Sequence, residues 1–264
     1  MKNKFSVASL VLSYFLVAGG MFTGMLALGY LKIHSEAVGY LFLGLGAFAG
    51  GYVAARASRG STIIEPAIGG LAVVATFVGL IAATEIGKTM WSLSHGETVK
   101  AIALTSGSAG FGALAGAWIS EKYFGEPSPA LWPWFIYTGL ATFGSCLLVT
   151  LFATMIAVSG EGTAIDTLAK MMLAGLAIGC LVGGVAVGAS ANARPLGPAF
   201  VGGGAGVAGF LALVTHSQPS SKEETTGIIV LALGGAIVTL IGAAIGWAVV
   251  GKKAADHLLP AETR

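Results

Sequence analysis

The stretch GAFAGGYVAARASRGSTIIEPAIGG, residues 46–70, is an apolar run that stops at two arginines and restarts at a proline. It returns in outline as GCLVGGVAVGASANARPLGPAFVGG at 179–203, starting 133 residues later. In each copy a glycine-rich segment (Gly46 and Gly50 in one, Gly179 and Gly183 in the other) runs into a short basic break. The break holds Arg56 and Arg59 in the first copy and Arg194 in the second, and Pro66 or Pro198 then opens the next apolar run. Further along, GALAGAW at 112–118 is echoed by GAAIGWA at 242–248. A single G-x-x-x-G is expected by chance in so glycine-rich a chain. Four events in the same order at a nearly constant offset point to an internal duplication.

The composition around these runs excludes an ordinary soluble domain. Hydrophobic residues make up 55% of the 264-residue chain and charged residues 10%, against about 25% charged in typical soluble domains. Mean hydropathy is +0.85. An apolar run of about 20 residues spans a hydrocarbon layer of about 30 Å. Apolar runs between polar breaks give eight such spans, at 6–31, 37–56, 64–84, 100–119, 132–158, 168–189, 197–215 and 227–250. The expected fold is an all-α integral membrane protein: a first four-helix repeat over 1–130, a second over 131–250, and a short tail at 251–264. The N-terminus could also pass for a signal peptide, but cleavage near Gly20 would leave a remnant too short to span, so an uncleaved first helix is the better reading.

Charge sets the expected direction of insertion. With the N-terminus in the cytoplasm, that side receives Lys2, Lys4, Arg56, Arg59, Lys122, Arg194, Lys252, Lys253 and Arg264. The other side receives Lys32, Lys88, Lys100 and Lys222, with Lys170 just inside a span. The positive-inside tendency places both termini in the cytoplasm. Trp118, Tyr123, Trp132, Trp134 and Trp247 would ring the inner interface. A four-helix unit returns the chain to its starting side, so the two copies insert as parallel repeats about an axis along the membrane normal.

Glycine is the anomaly, at 41 residues, about twice the usual share. Apolar burial does not drive helices together in lipid, so association rests on close backbone approach at small residues. Gly46 and Gly50, Gly112 and Gly116, Gly175, Gly179 and Gly183, and Gly242 and Gly246 lie at four-residue spacing, one stripe per helix. Such stripes bring the chain's own helices together or form an oligomer interface, and the spacing leaves both readings open. Pro66 and Pro198 fit a first helical turn, where the missing N–H has no partner to lose. Ser61 or Thr62 is a candidate cap for the helix that follows.

Chemistry is sparse. Ionisable residues at membrane depth mark working sites, and the central part of every span lacks them. Glu65, beside Pro66, suits the positive end of a helix dipole, with an ion or substrate role, paired with Arg59, as the alternative. Asp166 and Lys170 stand one turn apart and are expected to pair. No metalloprotease, nucleophile-elbow, phosphate-loop or dinucleotide pattern is present. The four histidines fall in breaks or the tail, and Cys146 and Cys180 lie mid-span without metal-site spacing. The expectation is no catalytic residue, no cofactor and no metal. The small hydroxyl-bearing segment TSGSAGFG at 105–112 reads as ordinary small-residue packing, with a break in the helix that puts Thr105, Ser106 and Ser108 on a solute path as the alternative.

The stretch GAFAGGYVAARASRGSTIIEPAIGGLAV resembles small glycine-rich four-span bacterial membrane proteins, in which a GGxxAAR helix end meets a short basic turn and another glycine-rich helix. The resemblance covers residues 40–80 and, more loosely, 173–210. It implies a duplicated version in a bacterial inner membrane and carries no activity. The expected function is a non-enzymatic scaffold or packing subunit in the lipid bilayer, associating with itself or with other membrane subunits and not with nucleic acid. The alternative is a passive channel or transporter for a small solute, along the interface of the two repeats and lined by Thr138, Thr142, Ser145 and the 105–108 hydroxyls.

Overall fold

The computed structural model describes residues 6–58, 63–84, 88, 92, 94–124, 133–159, 165–191, 194–215 and 222–251. Every regular element among them is helical: α1 Val7–Tyr30, α2 Glu36–Ala57, α3 Ile64–Ala82, α4 His95–Phe124, α5 Trp134–Ser159, α6 Ile165–Ser190, α7 Leu196–Thr215 and α8 Lys222–Gly246. A π-helical turn, Trp247–Gly251, continues α8. All eight helices are long and apolar enough to cross a bilayer, so the chain is a multi-pass membrane protein.

Local chemistry explains some of the boundaries. Ser6 caps α1, its hydroxyl accepting from the Ser9 N–H at 3.4 Å. Pro66 and Pro198 each occupy the third position of their helix, inside the first turn. The candidate caps Ser61 and Thr62 lie outside the described residues. α8 starts at Lys222, earlier than its hydropathy suggests.

The largest departure from expectation is α4. It runs 30 residues instead of the 20 of the apolar segment, about 45 Å, enough to cross the headgroup regions as well as the hydrocarbon. His95 and Glu97 at one end and Glu121 and Lys122 at the other suit that depth. The alternative of a break within TSGSAGFG does not occur, and residues 105–112 are continuous helix. At membrane depth an unwound segment would leave backbone groups unpaired, whereas the helix satisfies them internally.

Each set of four helices packs with the same pairings. α1 and α4 each pack on both α2 and α3; likewise α5 and α8 each pack on both α6 and α7. The two sets meet along α1 and α5, flanked by α1 against α6 and α2 against α5. One buried cluster, with Leu12, Leu16, Val17, Val73, Ala141 and Val187, crosses from one set to the other. A second, including Phe143, Leu176, Val207 and Phe210, fills the interior of α5–α8. Exposed Ile229, Leu233, Ile237, Ile241 and Ile245 recur along one face of α8, the periodicity of a lipid-facing surface.

Candidate functional site

The glycine stripes face other helices of the same chain. A methyl group added at Gly50 would stand 2.6 Å from the Leu16 carbonyl oxygen, and one at Gly46 3.0 Å from Met21 Cα, both across the α1–α2 seam. Gly112 lies against Gly44 and Ala47, and Gly116 against Phe48 and Tyr52, between α4 and α2. Gly175, Gly179 and Gly183 meet the backbone of Thr150, Cys146 and Thr142 in turn, running antiparallel down the α5–α6 seam. Gly242 and Gly246 meet Leu181, Val185 and Ala189 of α6. Only residues without a side chain allow backbones this close, and in lipid that approach is what holds helices together.

Sequence spacing did not single out Gly19 and Gly144, which form the contact between the two sets. Gly19 of α1 faces Leu140 of α5, while Gly144 of α5 faces Phe15 and Gly19 of α1. Polar contacts gather at the end of the bundle where α1 begins. Arg56, ending α2, donates to the Phe124 carbonyl at the end of α4 at 3.3 Å and sits beside Tyr137 at the start of α5. The cation thus complements the negative end of α4. Ser190, ending α6, donates to the Ala8 carbonyl at 3.2 Å. Arg194 is exposed, and Arg59 lies outside the described residues, as does any pairing of it with Glu65. Asp166 and Lys170 both point outward and do not pair, because exposed side chains gain little by giving up solvation for each other.

Glu65 is 5% exposed at the same end, and its carboxylate accepts from the Ser6 N–H at 3.4 Å. It therefore ties the start of α3 to the start of α1. Thr105 lies toward the opposite end. Ser108 packs near Gly44, and Thr105 lines a cavity. On α5, the Thr138 hydroxyl donates to the Trp134 carbonyl at 2.7 Å, and the Ser145 hydroxyl reaches the Gly179 carbonyl of α6, also at 2.7 Å. Thr142 is fully buried against Gly183 and Gly206. All three face close-packed helix seams.

Two features emerge only in three dimensions. Cys146 and Cys180, 34 residues apart, bring their thiols to 3.6 Å in the core of α5–α8, both free and fully buried. The second is a cavity of about 790 Å³ between the end of α3 and the start of α4. Val74, Phe77, Val78 and Ile81 form one wall, and Ala101 and Ile102 the other. Glu36, Lys88, Ser94 and Glu97 stand at its outer end. Below it α3 and α4 touch, a methyl at Gly70 falling 3.0 Å from the Ala109 carbonyl oxygen. From that contact the helices diverge, and the cavity occupies the divergence.

Among the described residues, no group of three or more His, Cys, Asp or Glu side chains is placed to hold a metal ion. No family model, curated protein or solved structure matches the chain.

Proposed function

We propose that the chain is a non-enzymatic scaffold or packing subunit of a bacterial inner-membrane assembly, built as two parallel four-helix repeats with both termini in the cytoplasm. The identical pairing order within the two sets supports the duplication. The reciprocal contacts between them, Gly19 on Leu140 and Gly144 on Phe15, support a two-fold relation along the membrane normal. Arg56 beside Tyr137 and Ser190 on Ala8 join the start of each repeat to the second helix of the other at a common end, as a parallel arrangement requires. At that end the Lys122 ammonium lies 4.4 Å over the Trp118 ring, in keeping with a basic, aromatic cytoplasmic interface.

The observation that carries the scaffold reading is how the interior is filled. Its small and hydroxyl residues lie in backbone-close seams, and Gly19, Leu140 and Gly144 bring α1 and α5 into close backbone approach where the two sets meet. Helices packed this closely leave the apolar exterior, such as the exposed face of α8, for contacts with partner subunits. Mild detergent extraction of tagged protein at native abundance, with intact mass measured on the complex, tests the proposal. Stoichiometric partner subunits or a defined homo-oligomer support it. A lone monomer that passes a small neutral solute in liposomes overturns it in favour of a facilitator.

A further inference from the structure

We propose that the cavity between α3 and α4 binds one zwitterionic phospholipid bearing a primary ammonium headgroup, its acyl chain between the helices and its headgroup at Glu36 and Glu97. The inference is independent of the scaffold reading. The shape supports it first. Along α3 the cavity runs from Val74 to Ala82 and along α4 from Glu97 to Thr105, about 12 Å in each case at the helical rise. One leaflet contributes about 15 Å of hydrocarbon. A chain entering from the headgroup level would therefore occupy most of its leaflet's depth. A volume of about 790 Å³ falls within the range of ligand pockets, roughly 300–1,000 Å³.

The polarity follows the same axis. Apolar side chains line the depth, Phe77 packs against the Phe22 ring at 5.4 Å, and among the described lining residues the charged groups stand at the outer end. Glu36 begins α2 and Glu97 lies in the first turn of α4, so the two carboxylates lie at the headgroup level. Glu36 accepts from the Tyr40 hydroxyl at 3.2 Å. Glu97 approaches Lys100 at 3.8 Å with both side chains mostly exposed, a weak pair in water. Each carboxylate thus retains acceptor capacity for a primary ammonium, which can donate up to three hydrogen bonds. Lys88 at the same rim supplies a cation near the lipid phosphate. A quaternary ammonium cannot donate hydrogen bonds, and an anionic headgroup would meet two carboxylates.

Given the duplication, the second set is packed differently at the matching positions. Where Val74 faces Thr105 across the cavity, Val207 meets Gly235 directly in the α7–α8 seam. Glycine lets those helices approach closely there, whereas at the matching place α4 carries a threonine.

The test uses the full chain reconstituted in vesicles of equal phosphatidylethanolamine, phosphatidylcholine and phosphatidylglycerol, extracted mildly, with retained lipid measured by mass spectrometry. The expected result is about one phosphatidylethanolamine per chain, enriched about tenfold over the other two, the discrimination of one charge-assisted hydrogen bond. The double variant E36Q/E97Q should lose the enrichment while remaining folded, and Ala101→Trp should lose retained lipid altogether. If Ala101→Trp does not fold, phosphatidylethanolamine with a diazirine in its acyl chain takes its place, labelling peptides 74–82 and 98–105 of the wild type above all others. Enrichment under twofold, equal retention of the anionic lipid, enrichment unchanged in E36Q/E97Q, or labelling spread over all helices would each overturn the proposal.

Discussion

Gly179 offers the sharpest test of the packing. A methyl added there would stand 2.6 Å from Cys146 Cα and 2.8 Å from its nitrogen. These are backbone atoms of a neighbouring helix, so no rotamer change relieves the clash. Ordinary contact begins near 3.4 Å, and α6 must withdraw from α5 by most of an ångström. A gap of that size forfeits roughly a quarter to a half of each dispersion contact along the seam, and overpacking of this kind costs about 1–3 kcal/mol. Alanine returns about 1 kcal/mol through its better helix propensity. With backbone on both sides the upper part of the overpacking range applies, and Gly179→Ala should destabilise by about 2 kcal/mol. Gly234 of α8 is the control, since a methyl there meets nothing within 4 Å. Gly234→Ala should stabilise by about 0.5–1 kcal/mol. The same chemical change is thus expected to have opposite signs at two positions, separated by about 2–3 kcal/mol. Reversible unfolding in mixed micelles, titrated with a denaturing detergent and followed by circular dichroism, measures both. If the two variants agree within about 0.5 kcal/mol, backbone approach at glycine is not what holds α5 and α6 together.

Other perturbations read other contacts. Ser145→Ala removes the hydroxyl that reaches the Gly179 carbonyl at 2.7 Å and should cost about 0.6 kcal/mol, the average for such bonds in membranes, in the same unfolding assay. A membrane-permeant oxidant should join Cys146 to Cys180, whose thiols are 3.6 Å apart; after proteolysis between α5 and α6 the fragments should stay linked until reduced, and C146A should abolish the link. Glu65→Ala removes the acceptor for the Ser6 N–H and should destabilise by about 1–2 kcal/mol, with Glu65→Gln losing less than half as much because an acceptor oxygen remains. Tags at the two termini of the chain in a bacterial inner membrane should both resist protease added from outside; digestion of either would reverse the proposed orientation.

The amino-acid sequence alone decides the number and places of the spans, because hydrocarbon thickness demands a minimum length of uninterrupted apolar helix, and that is a local property. The run ending at Arg56, the restart at Pro66 and the glycine stripes of α2, α4, α6 and α8 were all legible for the same reason. The ends of α4 were not. Polar residues that continue a helix through the headgroup region look like residues of a break, and His95 to Val99 were read that way. Partnership lay further out of reach. Helical spacing puts Gly179 and Gly183 on one face but cannot say that the face meets Cys146 and Thr142. Nor could it show that Gly19 meets Leu140 or that two cysteines 34 residues apart touch. The cavity depends on the angle at which α3 and α4 leave their contact at Gly70 and Ala109. Hydropathy along one helix reports its exchange with lipid, whereas these features are distances between helices, and only the packed bundle decides them.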